Sequence, residues 1–390
     1  MNYKLKTIIF LVIAVVIFGA LYFIDSHANK PELTYNSISK LREVYSSTDQ
    51  TLWPEPNLDE TIDKSTFKDI GALNKPEFPE NNPYSKEKAK LGKTLFFDPR
   101  LSISGQIACA SCHNPELAWT DNSTRSFGHD RQTGARNSMT IINSGLAHEL
   151  FWDGRANSLE DQARFPIADP VEMNEKLNIA VDKIANINGY KPLFKSAFGS
   201  DSVSLLRIQK AIATFERTVN SYKTRFDKFV LGDSTKLTNQ EVLGLHLFRT
   251  KARCINCHNT PYFSDNKFHN DGQTLFGTKN EDFGRYVVTK NKEDIGKFRT
   301  PTLREISRTG PWMHHGHFPS LLDVVEFYNL GNPAPIQKKY LGTERDSLIP
   351  NNSPILEKLN LNKEEINALL AFLETLSSNK GRTLIPELPK

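Results

Sequence analysis

The chain has 390 residues, of which 38% are hydrophobic and 24% charged, an ordinary composition for a globular protein. Its formal net charge is only +4 and is spread along the chain, which argues against a nucleic-acid-binding protein. Four cysteines at this length exclude a disulfide-based scaffold, and the length allows two or three domains.

The first 28 residues have the pattern of an export leader. A short basic stretch carrying Lys4 and Lys6 precedes an almost wholly apolar run of about 17 residues that ends at position 24. Ser26 and Ala28 form a small-x-small cleavage pattern shortly after it. The apolar run lies in length between a signal-peptide core and a minimal membrane span. We expect a segment that is either cleaved or kept as an anchor by residues 7–24, with the rest of the chain across the membrane.

Residues 29–84 are polar and rich in proline, which predicts a linker followed by an N-terminal strap lying on the first domain. A helix is predicted to begin near Ser85, run to Phe97 and end before Pro99. It leads directly into the first of two cysteine motifs.

Three further helices are predicted from capping signals and apolar periodicity. Apolar side chains recur at helical spacing over 206–222. Thr238 with Glu241 forms a capping box that begins a helix before the second cysteine motif, and Asn362 with Glu365 caps a closing helix. We therefore divide the chain into a first domain, 85–236, a second domain, 237–380, and a tail, 381–390.

All four cysteines occur in two C-x-x-C-H motifs, which are Cys109, Cys112 and His113, and Cys254, Cys257 and His258. This spacing is the signature of c-type haem attachment, in which two thiols bind the haem covalently and the histidine ligates the iron. A zinc half-site or a redox C-x-x-C is the alternative, but a zinc site needs four ligands together and the motifs are far apart in the chain.

A c-type cytochrome domain consists of a helix, the C-x-x-C-H motif, a long loop and a closing helix, in that order. This order occurs twice in the chain. No run of alternating residues indicates a large sheet. The expected fold is mainly α, with two c-type cytochrome domains, long loops and one covalent haem in each domain.

From residue 91 onward the chain resembles the bacterial di-haem cytochrome c peroxidases and their relatives, the methylamine-utilisation di-haem enzymes. The resemblance covers about three quarters of the chain, with the motifs in family order. Besides the haem motifs they are LGKTLFFDPRLS at 91–102, HNP at 113–115, GH at 128–129, RN at 136–137, FWDGR at 151–155, EDQ at 160–162, EM at 172–173, PTLR at 301–304 and TGPWMHHG at 309–316.

The resemblance implies that the first haem, at His113, is the peroxidatic one. His129 matches the distal histidine that caps this iron in the resting oxidised form and swings away on activation. Glu172 matches the acid/base carboxylate of the peroxide site, and Gln162 the glutamine that lines it. Cleavage of HO–OH needs a group that takes a proton from one oxygen and returns it to the other. From the residues alone, Glu172 is equally well a surface glutamate and His129 a solvated loop residue.

Trp152 matches the tryptophan that relays electrons between the two haems, although a tryptophan that only packs the interface would look the same. Asn137, Thr309 and Pro311 match positions that bind a calcium ion in the family, the last two through backbone carbonyls. Oxygen ligands from loops far apart in sequence suit calcium.

The sequence departs from the methionine-ligated members at the second haem. Tyr328 occupies the position of the methionine ligand, as in the methylamine-utilisation branch, and a phenolate favours ferric iron where a thioether favours ferrous iron. The alternative is that Tyr328 only packs there and Met313 ligates. That branch also has a tryptophan two residues before the second haem motif, where this chain has Ala252.

The sequence therefore predicts an exported, periplasmic di-haem peroxidase that reduces hydrogen peroxide with electrons from a small c-type cytochrome or a cupredoxin. Its cofactors would be two c-type haems and one calcium ion, and a homodimer is expected from the resemblance. One alternative is a tyrosine-ligated, high-valent di-haem oxidase acting on a protein or organic substrate, which Tyr328 favours and Ala252 disfavours. A non-enzymatic di-haem electron carrier is the other, and it would have no need for the Glu172 and Gln162 positions.

Overall fold

The computed structural model describes residues 35–331, 338–378 and 382–390, and residues 42–390 form one compact unit. The predicted leader, 1–28, lies outside the described residues. No described helix has the length and hydropathy that crossing a bilayer requires. The α-helices are α1 (Tyr35–Tyr45), α2 (Lys86–Phe96), α3 (Cys109–Cys112), α4 (Leu159–Gln162), α5 (Arg164–Ala168), α6 (Leu177–Ala185), α7 (Tyr190–Phe198), α8 (Leu205–Glu216), α9 (Arg225–Val230), α10 (Asn239–Arg249), α11 (Tyr286–Thr289), α12 (Leu321–Asn329) and α13 (Lys363–Glu374).

The helix predicted before the first cysteine motif is present as α2, and it packs against α8. The Ser85 side chain caps it by accepting a hydrogen bond from the Lys88 amide. The two helices meet at Gly92, where an added Cβ would lie 1.8 Å from the carbonyl oxygen of Ala211. Only glycine allows the backbones to approach this closely, so this position fixes the α2–α8 crossing.

The second helix pair, α10 and α13, repeats this arrangement. Both predicted capping boxes are present and begin these helices. An added Cβ at Gly244 of α10 would lie 2.0 Å from the carbonyl oxygen of Ala368 in α13. The same close approach thus recurs in the half of the chain that carries the second motif.

Equivalent aromatic clusters fill the space behind each helix pair. Phe96, Trp119 and Phe215 have ring centroids 5.4–5.8 Å apart in the first cluster. The second cluster is formed by Phe248, Phe263 and Phe372, with centroids 5.3–6.3 Å apart. These buried rings contribute much of the apolar area that holds each pair together.

Helix α8 ends at Glu216, earlier than the periodicity over 206–222 predicts. The Thr218 hydroxyl donates to the Phe215 carbonyl at 2.6 Å, and the Asn220 amide donates to the Arg217 carbonyl at 2.8 Å. In a longer helix these two carbonyls would accept from backbone N–H groups. Here side chains take the place of those N–H groups, and the helix ends.

Within the described residues the sheet content is one antiparallel pair, β1 (Phe268–His269) with β2 (Phe298–Arg299). The expectation of a mainly α fold without a large sheet is confirmed. Long irregular loops follow α3 and the second cysteine motif, and these loops supply most of the side chains of the site.

The expectation that the strap lies on the first domain is wrong for its first part. The Asp59 backbone N–H donates to the Asn256 side-chain oxygen at 2.7 Å, and the Asn256 side-chain N–H donates to the Asn57 carbonyl at 3.1 Å. Asp69 forms an ion pair with the buried Arg249 of α10. Asp59 likewise pairs with Arg253, so this part of the strap lies beside the second cysteine motif, whereas Asn82 near its end bonds Glu160 of the first domain.

Candidate haem and peroxide site

Both C-x-x-C-H motifs open onto one cavity of about 890 Å³ inside the 42–390 unit. The cysteines and histidines of both motifs line it. Two sequence-distant motifs therefore share one interior space, large enough for sizeable cofactors.

The two motif histidines are oriented in the same way. His113 Nδ1 lies 3.2 Å from the Trp119 carbonyl oxygen, and His258 Nδ1 lies 3.1 Å from that of Phe263. Because a carbonyl can only accept, Nδ1 carries the proton in both rings and Nε2 is left as the ligand atom. Trp119 and Phe263 hold equivalent left-handed backbone conformations, with φ of 60° and 56°.

The cysteines are chemically suited to thioether formation. All four are free thiols, and burial raises the pKa of Cys112 to about 11 and that of Cys254 to about 12. Cys112 and Cys254 are therefore protonated at neutral pH. Free thiol pairs, Nε2 atoms and a shared cavity fit two covalently bound c-type haems.

Glu172 and Gln162, the predicted peroxide-site residues, both line the cavity. Burial raises the pKa of Glu172 to about 7, with the Asp169 carboxylate raising it further and Arg155 opposing them. A carboxyl group with a pKa near neutrality can both take and return a proton. The structure thus gives Glu172 the property that the proposed acid/base role requires.

His129 is not among the residues that line the cavity. Its Nε2 lies 3.3 Å from the Asp130 carboxylate, and its Nδ1 is buried without a hydrogen-bond partner. Its backbone amide donates to the Glu172 carbonyl at 2.7 Å. The His129 loop is therefore fastened to the Glu172 loop while the imidazole points elsewhere.

Trp152 lies in the cavity wall, in contact with residues of both halves of the chain. Its indole N–H donates to the Asn137 carbonyl at 2.9 Å, and its carbonyl accepts from the Arg299 amide at 2.7 Å. The His314 ring packs edge-on against it at 6.2 Å. The ring is thus held rigidly by neighbours before and after the second motif.

The three predicted calcium positions, Asn137, Thr309 and Pro311, all line the cavity. The Asn137 side-chain N–H donates to the Ser123 carbonyl at 2.9 Å, which turns its oxygen away from Ser123. No group of three or more His, Cys, Asp or Glu side chains in the described ranges could hold a metal ion. A cation here would rely on amide and carbonyl oxygens.

Tyr328 and Met313, the two candidate ligands at the second motif, both line the cavity. The Tyr328 hydroxyl lies 3.4 Å from the Asp271 carboxylate. Burial raises the pKa of Tyr328 well above its ordinary value, and the charges of Asp271, Cys257 and Cys254 raise it further. Tyr328 is therefore close to the thiols of the second motif.

Sequence reasoning missed Glu216, a cavity-lining residue at the end of α8 that is only 4% exposed. A signal for it existed, because Glu216 follows Ile208 and Ile212 at helical spacing and so continues the buried stripe of α8. A glutamate on an apolar face is either paired or functional.

A helical fold in which two C-x-x-C-H motifs share one cavity defines a c-type haem protein. The family model for di-haem cytochrome c peroxidases matches residues 86–235. Methylamine utilization protein MauG of Methylorubrum extorquens is 38% identical over 312 residues, 80% of this chain and 84% of that protein. Cytochrome c551 peroxidase of Nitrosomonas europaea is 38% identical over 323 residues, 82% of this chain and 89% of that protein. The chain belongs to the di-haem cytochrome c peroxidase family, which implies two c-type haems and an oxidoreductase of the peroxidase type.

Solved structures agree with this assignment. A MauG-like protein associated with microbial copper homeostasis is 31% identical, with a TM-score of 0.69 over 82% of this chain and 95% of that one. The diheme peroxidase BthA of Burkholderia thailandensis, at 23% identity and a TM-score of 0.63, covers 83% of this chain and 94% of that one. The second likeness concerns the fold alone.

Proposed function

We propose that the protein is a di-haem cytochrome c peroxidase that reduces hydrogen peroxide to two waters, consuming two electrons and two protons. The two helix-pair repeats are then two cytochrome domains, with one haem at His113 and the other at His258. The observation that carries the proposal is the shared cavity, with Glu172 and Gln162 in its lining. A plain electron carrier has no use for a buried carboxyl group whose pKa is near 7.

The haem at the first motif, when bound, would supply the redox-active iron to which peroxide binds. Glu172 would take a proton from one peroxide oxygen and return it to the other, so that the O–O bond can break to give water with electrons that the haem would supply. Gln162 orients the peroxide by hydrogen bonding through its amide. Arg155 keeps part of the Glu172 population ionised, because its charge lowers the pKa that burial raises.

Electrons enter at the second motif from a small c-type cytochrome or a cupredoxin and reach the first through Trp152. The rigid hold on the indole, by Asn137 and by the backbone of Arg299, supports this role. The Trp152 indole can pack the interface between the two halves and relay electrons at the same time. A calcium ion held by Asn137, Thr309 and Pro311 would act at the same place, since Asn137 also bonds Trp152.

We assign His129 to gating of the first site. In the resting oxidised form it would cap the iron, and on activation it would swing to the position outside the cavity lining described above. That position supports a first site open to peroxide. The bond from its amide to the Glu172 carbonyl would couple the loop motion to the proton-handling residue.

A tyrosine-ligated di-haem oxidase is the second candidate, favoured by Tyr328. The phenol is buried beside the Asp271 carboxylate, so it ionises only where a cation offsets the cost of burial and that negative charge. Ligation to ferric iron would provide that cation. Ala252 still argues against oxidation of a distant protein tryptophan by this chain.

We also propose export to the periplasmic side of the bacterial inner membrane, with a leader within residues 1–28. Covalent haem attachment at two C-x-x-C-H motifs fits that compartment. A homodimer is part of the same proposal.

Stopped-flow spectroscopy of the protein loaded with both haems and calcium tests the function. Hydrogen peroxide is mixed with the fully ferric and the half-reduced forms while the haem bands are followed. Reaction of only the half-reduced form supports a peroxidase gated by His129. Prompt reaction of the ferric form to a long-lived oxidised state favours the oxidase. No reaction in either form contradicts both and leaves an electron carrier.

A further inference from the structure

Glu216 is a buried carboxyl group with no role in the chemistry above. It ends α8, lines the cavity with Ile212 one turn before it, and has an oxygen, Oε2, that is buried without a hydrogen-bond partner. Its charge acts on Cys109, whose pKa it raises second only to burial. The charge of Glu216 is thus felt at a thiol through which the first haem would be attached, and both residues line the cavity.

An unpartnered buried carboxyl group is costly, and the cost is least when the group is neutral. Burial raises the pKa of Glu216 to about 8, Arg217 lowers it and Glu160 raises it. The influence of Arg217 is limited because its guanidinium is already bound to both oxygens of Glu160. Arg217 therefore offsets only part of the cost of ionising Glu216, and the charge of the attached haem iron would act on the same carboxyl group.

We propose that Glu216 takes up a proton when the first haem is reduced and releases it when that haem is oxidised. Reduction adds one electron from the donor and converts Fe(III) to Fe(II), which removes one positive charge near the carboxylate. The carboxylate then takes one proton from water and forms an O–H bond, so the net charge of the site does not change. The inference requires the haem at the first motif but not peroxide reduction.

The sign follows from electrostatics. Ferric iron favours the ionised carboxylate and so lowers the pKa of Glu216 relative to the ferrous form. At a pH between the two pKa values, reduction is coupled to uptake of one proton. In that window the midpoint potential of the first haem should fall by about 59 mV for each tenfold decrease in proton concentration.

EPR-monitored redox titrations of the holoprotein between about pH 5 and pH 9, poised with dithionite and ferricyanide, test this. The wild-type first haem should show the coupled slope, and the E216Q variant should not. The second haem serves as the internal control, with a slope that E216Q leaves unchanged. An E216Q protein with the wild-type pH dependence would overturn the proposal.

A second variant separates the two cavity carboxyls of the first site. E172Q should keep the pH dependence of the first-haem midpoint potential. If E172Q lost this dependence and E216Q kept it, the proton taken up on reduction would belong to Glu172 and the proposal would be overturned. Redox-difference infrared spectra of the wild type require no variant to fold. A protonated-carboxyl band should appear on reduction, disappear in E216Q and shift in E216D, and its absence in the wild type would also refute the inference.

Discussion

The two halves of the molecule share one packing scaffold but surround their cysteine motifs with different side chains. In each, a glycine lets the entry helix press against the carbonyl of an alanine, and a left-handed aromatic residue offers its carbonyl to the motif histidine. The surroundings differ: the first motif has Glu172 and Glu216 near it, and the second has Tyr328 and the strap. A repeated packing unit thus orients the motif histidine in the same way in both halves, while the loops give each motif its own surroundings.

The largest expected effect comes from removing one attachment site. Replacing Cys109 and Cys112 by serine should remove the first haem and abolish peroxide reduction, because the iron and the covalent anchor are lost together. Haem content measured by the pyridine haemochrome assay should fall to about half of the wild-type value, as the family implies two haems.

The matched variant for the second half replaces Cys254 and Cys257 by serine. It should lose as much haem as the Cys109 and Cys112 variant but retain the peroxide-binding spectrum of the first site. If this variant lost peroxide binding and the first one kept it, the two roles would be reversed.

Next in size is E172Q, which removes the proton-transfer group and keeps its shape. Peroxide reduction should slow by about 10²–10⁴-fold. The pKa of Glu172 is raised to about 7 and the base acts when ionised, so the wild-type rate should rise with pH through about 7. Stopped-flow rates between about pH 5.5 and pH 8.5 would show this rise in the wild type and its loss in E172Q.

The control for E172Q is E175Q, three residues away. Glu175 is paired with Lys183 and does not line the cavity. E175Q should keep the rate and its pH dependence even if it lowers thermal stability, and equal slowing in both variants would show that loop integrity, not proton transfer, is responsible.

A smaller effect is expected from Y328M, which places a thioether where the second half has a phenol. The second-haem midpoint potential should rise on the order of 100 mV, a fraction of the roughly 0.8 V that axial ligands span. Redox titration with visible and EPR detection measures it. The matched variant is M313L: a change in the ligand spectrum in M313L, with none in Y328M, would identify Met313 as the ligand.

The smallest expected effect tests the shared scaffold itself. G92A and G244A should each destabilise the protein by about 1–3 kcal/mol or more, because the added methyl group collides with backbone and not with a flexible side chain. Denaturant unfolding of the two holoproteins should give similar losses. G105A is the control, since Gly105 has open space around its Cβ position, although its φ of +65° adds local strain.

The strap marks a second difference between the halves. Its acidic residues Asp59 and Asp69 contact groups beside the second motif, where they meet Arg253 and Arg249. Proline content predicted an extended segment, but no periodicity in it specifies which surface it covers. The surface it covers is decided by complementary charges on residues nearly 200 positions away, and folding alone brings these charges together.

The sequence by itself determined the two C-x-x-C-H motifs and the capped helices on either side of them. These are local patterns, in which cysteine spacing, capping side chains and apolar periodicity act within a few residues of one another. It could not determine that His129 lies outside the cavity lining, that Glu216 is buried or that the pKa of Glu172 is raised. Those depend on desolvation and on neighbours from distant loops, and burial is a property that only the tertiary structure confers.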